Sequence, residues 1–219
     1  SDQTLNNVDV ATGAVLTVDA GVTLTINGTL NLNGGTIQGL GAINVTGALS
    51  TFVWSGGTIQ GTTTTIAASS TNNVINGASS KNLVSGTFIN NATITWSNGT
   101  FFFGNTGTSF LNNGTFDITN DLTFSHSIGG SPTFTNSSTG IISKSAGTGT
   151  TTFGNNGGVV LNNSGQLNIL SGTMNVGATF TNNSGGSVNV TAGKTINFNS
   201  GSQAFNSGSS VNAVGGAAT

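Results

Sequence analysis

Gly34-Gly35-Thr36-Ile37-Gln38-Gly39 returns unchanged as Gly56-Gly57-Thr58-Ile59-Gln60-Gly61, 22 residues further on. Self-similarity at a fixed period of roughly 20 to 50 residues marks solenoids, propellers and arrays, so this pair of segments bears directly on the fold. Around them runs a finer beat. Gly13, Gly21, Gly28, Gly35, Gly41, Gly47 and Gly57 each precede a short segment in which apolar and polar residues alternate. Val22-Thr23-Leu24-Thr25-Ile26, Thr29-Leu30-Asn31-Leu32 and Ala42-Ile43-Asn44-Val45 are the clearest. A period of two is the pattern of a strand with one buried face. Gly13 to Gly35 and Gly35 to Gly57 each span 22 residues, so three strands make one repeat.

The second half of the chain keeps the beat with different residues. Phe88-Ile89-Asn90-Asn91, Phe110-Leu111-Asn112-Asn113, Phe134-Thr135-Asn136-Ser137, Val160-Leu161-Asn162-Asn163, Phe180-Thr181-Asn182-Asn183 and Phe205-Asn206-Ser207 follow one another at spacings of 22, 24, 26, 20 and 25. Each is followed by another strand-like segment, such as Thr115-Phe116-Asp117-Ile118. The period predicts an all-β chain folded as a single-stranded parallel β-helix, or β-solenoid, with three short strands per coil and about 9 to 10 coils. Residues 1–219 are read as one domain, right-handed by the general preference of parallel crossovers. Asn-Gly at Asn27, Asn33, Asn76, Asn98, Asn113 and Asn156 also suits hairpins in an antiparallel sandwich. Recurrence at every third strand, not every second, favours the solenoid. Residues 62–87 fit the repeat least well and predict an irregular insertion or a change of cross-section. Residues 125–133, with His126, Gly129-Gly130 and Pro132, predict a protruding turn.

Stacking explains the composition. Gly, Thr, Asn and Ser supply 129 of 219 residues, whereas the charged residues are five Asp and three Lys. Coils stack at about 4.8 Å, so equivalent side chains lie over one another and a charge repeated in each coil would repel itself. Asn has the opposite property, because its amide both donates and accepts along a column. Asn90, Asn91, Asn112, Asn113, Asn136, Asn162, Asn163, Asn182 and Asn183 therefore read as a turn ladder, with Phe88, Phe110, Phe134, Phe180 and Phe205 as an aromatic stack beside it. The apolar fraction of 34% and regular placement of 13 Phe argue against disorder. Three Lys and no Arg cannot form a nucleic-acid footprint. Absence of Cys removes thiol chemistry and disulfides, and no apolar run is long enough for a membrane-spanning helix.

Segments such as Phe110-Leu111-Asn112-Asn113-Gly114-Thr115-Phe116-Asp117-Ile118, Lys144-Ser145-Ala146-Gly147-Thr148-Gly149 and Gly165-Gln166-Leu167-Asn168-Ile169 resemble repeats of large bacterial extracellular proteins. The resemblance is to the β-helical regions of autotransporter-like and filamentous-haemagglutinin-like adhesins. It implies a secreted or cell-surface stalk, adhesin or fibre component, without catalytic residues to carry over.

Chemistry-bearing residues are few. Asp117 and Asp121 are the only closely spaced acids, and a turn Asp beside a strand Asp is the simpler reading than an acid-base pair. No enzyme activity and no cofactor are expected. Asp2, Asp9 and Asp19 lack the carboxylate density of a calcium site and suit an edge kept soluble by charge. His126 is read as a loop residue. Trp54 and Trp96 sit at alternating strand positions that favour packing over an exposed sugar platform. Thr-x-Thr begins at Thr23, Thr62, Thr63, Thr93, Thr106, Thr133, Thr148, Thr150 and Thr179, at irregular intervals that single out no one face. Such ladders resemble the ice-binding faces of antifreeze solenoids, which makes ice binding one alternative and glycan binding or polysaccharide degradation another. Expected partners are sister subunits or other surface proteins, glycans or abiotic surfaces, with no nucleic acid and no membrane insertion of this chain. Strand-like sequence near both limits (Thr4 to Val10, Val211 to Val214) suggests sister molecules stacking end to end.

Overall fold

A computed structural model describes residues 1–126, 129–155 and 158–219. Short strands of about four residues, each ended by a glycine or polar turn, wind into ten coils with all described pairings parallel. Every coil passes through three faces, usually with one strand on each. The first face is a continuous 10-stranded sheet running from Gln3–Leu5 through Thr23–Ile26, Ala42–Val45 and their successors to Gln203–Phe205. Second-face strands include Thr93–Trp96, Thr115–Ile118 and Ile141–Lys144; third-face strands include Phe101–Gly104, Thr123–His126 and Thr150–Phe153.

Alternation does the folding work. In Thr23–Ile26, Leu24 and Ile26 point inward and are buried while Thr23 and Thr25 face out. The same inward pair recurs in nearly every strand, so no coil encloses its own core and each is completed by its neighbours. Position Thr23 aligns in turn with Ala42, Thr63, Thr87, Ser109, Thr133, Val160 and Thr179. The number of residues between these positions varies, and the turns absorb the variation. Strand register is therefore constant where sequence spacing is not.

Residues 62–87 form the fourth coil, with strands Thr63–Ile66, Asn73–Ile75 and Lys81–Val84. Its strands pair in parallel with those of the coils on either side. Upstream, Thr29–Gly39 and Thr51–Gln60 each run through the second and third faces as one bent strand; from the fourth coil onward the faces are separate strands. Of the turn expected at 125–133, Ser127 and Ile128 lie outside the described residues. Ser125 and His126 close a third-face strand, Gly129, Gly130 and Ser131 are exposed, and buried Pro132 accepts a hydrogen bond from the Val160 N–H at 2.9 Å.

Candidate functional site

An amide ladder exists, and five of the nine amides expected from sequence form its interior column. Asn90, Asn112, Asn136, Asn163 and Asn182 are fully buried at the inner end of successive first-face strands. Each Nδ2 donates to the next Oδ1 at 2.8, 2.8, 2.7 and 2.8 Å. The same amides also donate to carbonyls that open the second-face strands of the next coil, those of Thr115, Ile141, Gln166, Ser187 and Ser210, at 3.0 to 3.1 Å. A buried amide satisfied on both sides ties each coil to its successor instead of leaving a desolvated polar group. Gly140 makes room for this: a Cβ there would stand 2.3 Å from the Asn136 Oδ1 and 2.3 Å from the Asn112 carbonyl oxygen.

Asn162 does not belong to the inner ladder. The segment 160–163 is shifted by one residue from the Phe-x-Asn-Asn alignment, so Leu161 pairs with Phe134 and Asn163 with Asn136. Asn162 faces outward between Thr135 and Thr181. Asn91, Asn113 and Asn183 sit one residue past the strands; Asn113 Nδ2 donates to Asn91 Oδ1 at 2.8 Å, and Asn183 Nδ2 to Ser164 Oγ at 3.1 Å.

The Phe column is shorter than the sequence suggests. Phe88, Phe110 and Phe134 stack with centroid spacings of 4.9 and 4.5 Å. Leu161 then separates Phe134 from Phe180. Phe205 pairs with Asn182, not Phe180, and is 46% exposed. A second stack, Phe101, Phe124 and Phe153 at 4.8 and 4.5 Å, lies on the third face, where turns of unequal length hide the alignment from sequence periodicity. Trp54 and Trp96 lie inside this aromatic core with no exposed surface, so neither offers a platform for sugar.

Two lysines are fully buried, and alternation alone did not single them out. Lys81 Nζ donates to the carbonyls of Gly77 and Asn98, and burial lowers its pKa from 10.5 to about 8. Lys144 Nζ donates to Asp121 Oδ1 at 2.9 Å and to the Ala146 carbonyl at 3.0 Å. Asp121 Oδ2 accepts the Gly149 N–H at 2.9 Å. The hydrogen bond from Lys144, aided by that of Gly149, holds the Asp121 carboxyl below its ordinary range against a smaller opposing desolvation. Asp117 is elsewhere, on the outer side of its strand between Thr95 and Ser143. The two acids are thus not a pair. His126 ends its strand opposite Phe103, and its backbone N–H donates to Asn155 Oδ1 at 3.1 Å. Among the described residues no cluster of three or more His or Asp is placed to hold a metal ion, and no helix is long and apolar enough to cross a membrane. An open groove beside the fourth coil is lined by Ser70, Asn72, Asn73, Val74 and Thr95, among others, with no charged side chain.

The outer faces differ in how far their polar groups are committed. On the second face Asn31 Nδ2 donates to Asp9 Oδ1 at 3.1 Å, and Asn189 and Asn212 form an outer amide ladder with Asn168, both steps at 2.8 Å. On the third, Asn197 Nδ2 donates to Asn175 Oδ1 at 2.8 Å. First-face strands carry no titratable residue, and the outward hydroxyls of Thr23, Thr25, Thr63, Thr65, Thr133, Thr135, Thr179 and Thr181 have no partner among the described residues.

These features define a three-faced parallel β-solenoid with an amide-laddered interior. Comparison with protein-family models, curated proteins and solved structures finds no match to the chain.

Proposed function

We propose that the chain is a non-enzymatic, rigid solenoid that serves as a structural or adhesive element of a bacterial surface or extracellular fibre. The observation that carries the reading is the interior. Aromatic, aliphatic and amide columns run from coil to coil, so the bonding that joins one coil to the next also stiffens the whole stack over roughly 45 Å. The most closely spaced acids support it: one faces out, and the other is held by Lys144 and Gly149. Repeated outward hydroxyls and amides give many weak contacts whose combined strength exceeds that of any one. Export and surface display follow from the resemblance of the repeats to bacterial adhesins.

Small-angle scattering and electron microscopy of the purified chain, together with binding to arrayed glycans, matrix proteins and abiotic beads, test the proposal. Rods with saturable binding to one surface class support it. Loss of viscosity from a polysaccharide solution would replace it with an enzymatic reading.

A further inference from the structure

We propose that the outer surface of the first face binds ice through its threonine-rich outward columns, with their methyls and hydroxyls. This goes beyond the structural and adhesive reading and does not depend on it. Strand register brings together Thr-x-Thr pairs that the sequence scatters. Thr23/Thr25, Thr63/Thr65, Thr133/Thr135 and Thr179/Thr181 all point outward from this one sheet. Thr87 and Ser109 continue one column between Thr63 and Thr133, while Ile89 and Leu111 stand in the other between Thr65 and Thr135; Ala42 and Asn44, and Val160 and Asn162, separate the remaining pairs.

Geometry favours a crystalline partner. The sheet keeps register through all ten strands, whereas the pairings of Val8–Ala11 and Thr51–Gln60 with Thr29–Gly39 on the other faces shift at Ala11 and Asn33. Neighbouring outward side chains are therefore spaced at about 4.8 Å across strands and about 6.6 Å along them, a two-dimensional lattice of the kind an ordered water layer requires. Chemistry favours water over other flat solids. A threonine methyl restricts the orientation of adjacent water, and its hydroxyl both donates to and accepts from that layer. The strands of this face carry no charge to hold a competing hydration shell, and the hydroxyls are not spent on neighbouring side chains, as the Asn168, Asn189 and Asn212 amides are on the second face. Crystalline polysaccharide is less suited, since sugar rings pack on aromatic faces. The outward positions of this sheet hold no aromatic residue, and both Trp are in the core.

The test uses the 219-residue chain. Ice recrystallisation, thermal hysteresis and partition into a growing ice front are measured for the native protein, for Thr65→Lys and Thr135→Lys on the first face, and for Thr173→Lys and Thr195→Lys on the third. Circular dichroism melting checks that each variant is folded. The expected result is inhibition of recrystallisation by the native chain, a loss of at least tenfold in either first-face variant at unchanged melting temperature, and retention in the third-face variants. An inactive native chain, equal loss from both faces, or binding to crystalline cellulose or chitin with none to ice overturns the proposal.

Discussion

Asn136→Ala removes the central rung of the buried ladder. Its Oδ1 accepts from Asn112 Nδ2 at 2.8 Å, and its Nδ2 donates to Asn163 Oδ1 at 2.7 Å and to the carbonyls of Gln166 and Gly140 at 3.0 and 3.1 Å. Alanine leaves those groups in a fully buried site that water does not reach. The Nδ2 has two hydrogens, so its three contacts amount to two full donor bonds; with the accepted bond, at a net of about 1 kcal/mol each, the loss comes to about 3 kcal/mol. For a domain of this size each kcal/mol shifts the melting temperature by roughly 2 to 4 °C, so the midpoint falls by roughly 6 to 12 °C. Urea unfolding followed by the fluorescence of buried Trp54 and Trp96, with circular dichroism as a second probe because solenoids can unfold in parts, measures it. Asn113→Ala is the control, since it deletes one outer hydrogen bond of 2.8 Å to Asn91 and loses about 1 kcal/mol or less. Equal costs for the two variants would refute the assignment of the ladder as an interior clamp. Asn136→Asp sharpens the test. A buried carboxylate cannot donate to Asn163 Oδ1, so the variant is weaker than Asn136→Ala at neutral pH and recovers on acidification as the protonated acid regains a donor.

Phe110→Ala, between Phe88 and Phe134, is expected to cost about 3 to 5 kcal/mol in the same unfolding assay. Phe205→Ala, half-exposed and off that column, is expected to cost much less; equal effects would contradict the register. Lys81 binds its proton less tightly folded, at about 8 against 10.5 unfolded, so the unfolded chain holds more protons between those values. Stability therefore rises with pH across that window, and Lys81→Met flattens the rise in denaturation midpoints measured from pH 7.5 to 10.5. Asp121, with its pKa lowered, contributes stability above the ordinary carboxylate value of 3.8 that is lost as pH falls through its folded value. Asp121→Asn should reduce the acid dependence of the melting temperature. It should also destabilise more than Lys144→Met, because it leaves a buried ammonium without its counter-charge.

Much of the architecture was legible in residues 13–61, where glycines space alternating segments closely enough to reveal three strands per turn. The inward residues there, such as Leu24, Ile26, Ile43 and Val45, are those alternation assigns to the core. Legibility failed where one residue of slip changes a face. Val160-Leu161-Asn162-Asn163 resembles its neighbours best in one frame and pairs in the adjacent one, because placing Leu161 over Phe134 buries a larger apolar group than Val160 would. The same limit hid Phe101, Phe124 and Phe153, whose stack forms across turns of unequal length. Buried Lys81 and Lys144 were missed for another reason: their carbonyl and carboxylate partners belong to turns that sequence periodicity does not position.

By itself the sequence determined that the chain is a repeat, that its strands bury alternate residues, and that amides rather than charges can occupy stacked columns. These are local or periodic properties, decided by side-chain alternation and by repulsion between like charges about 4.8 Å apart. Tertiary structure alone decided which column each residue enters. Thr63 and Thr133 are 70 positions apart, yet they share the outer surface of one sheet because turn lengths set strand register. A side chain's face is therefore fixed by pairing with the coils above and below, and distance along the chain carries no record of it.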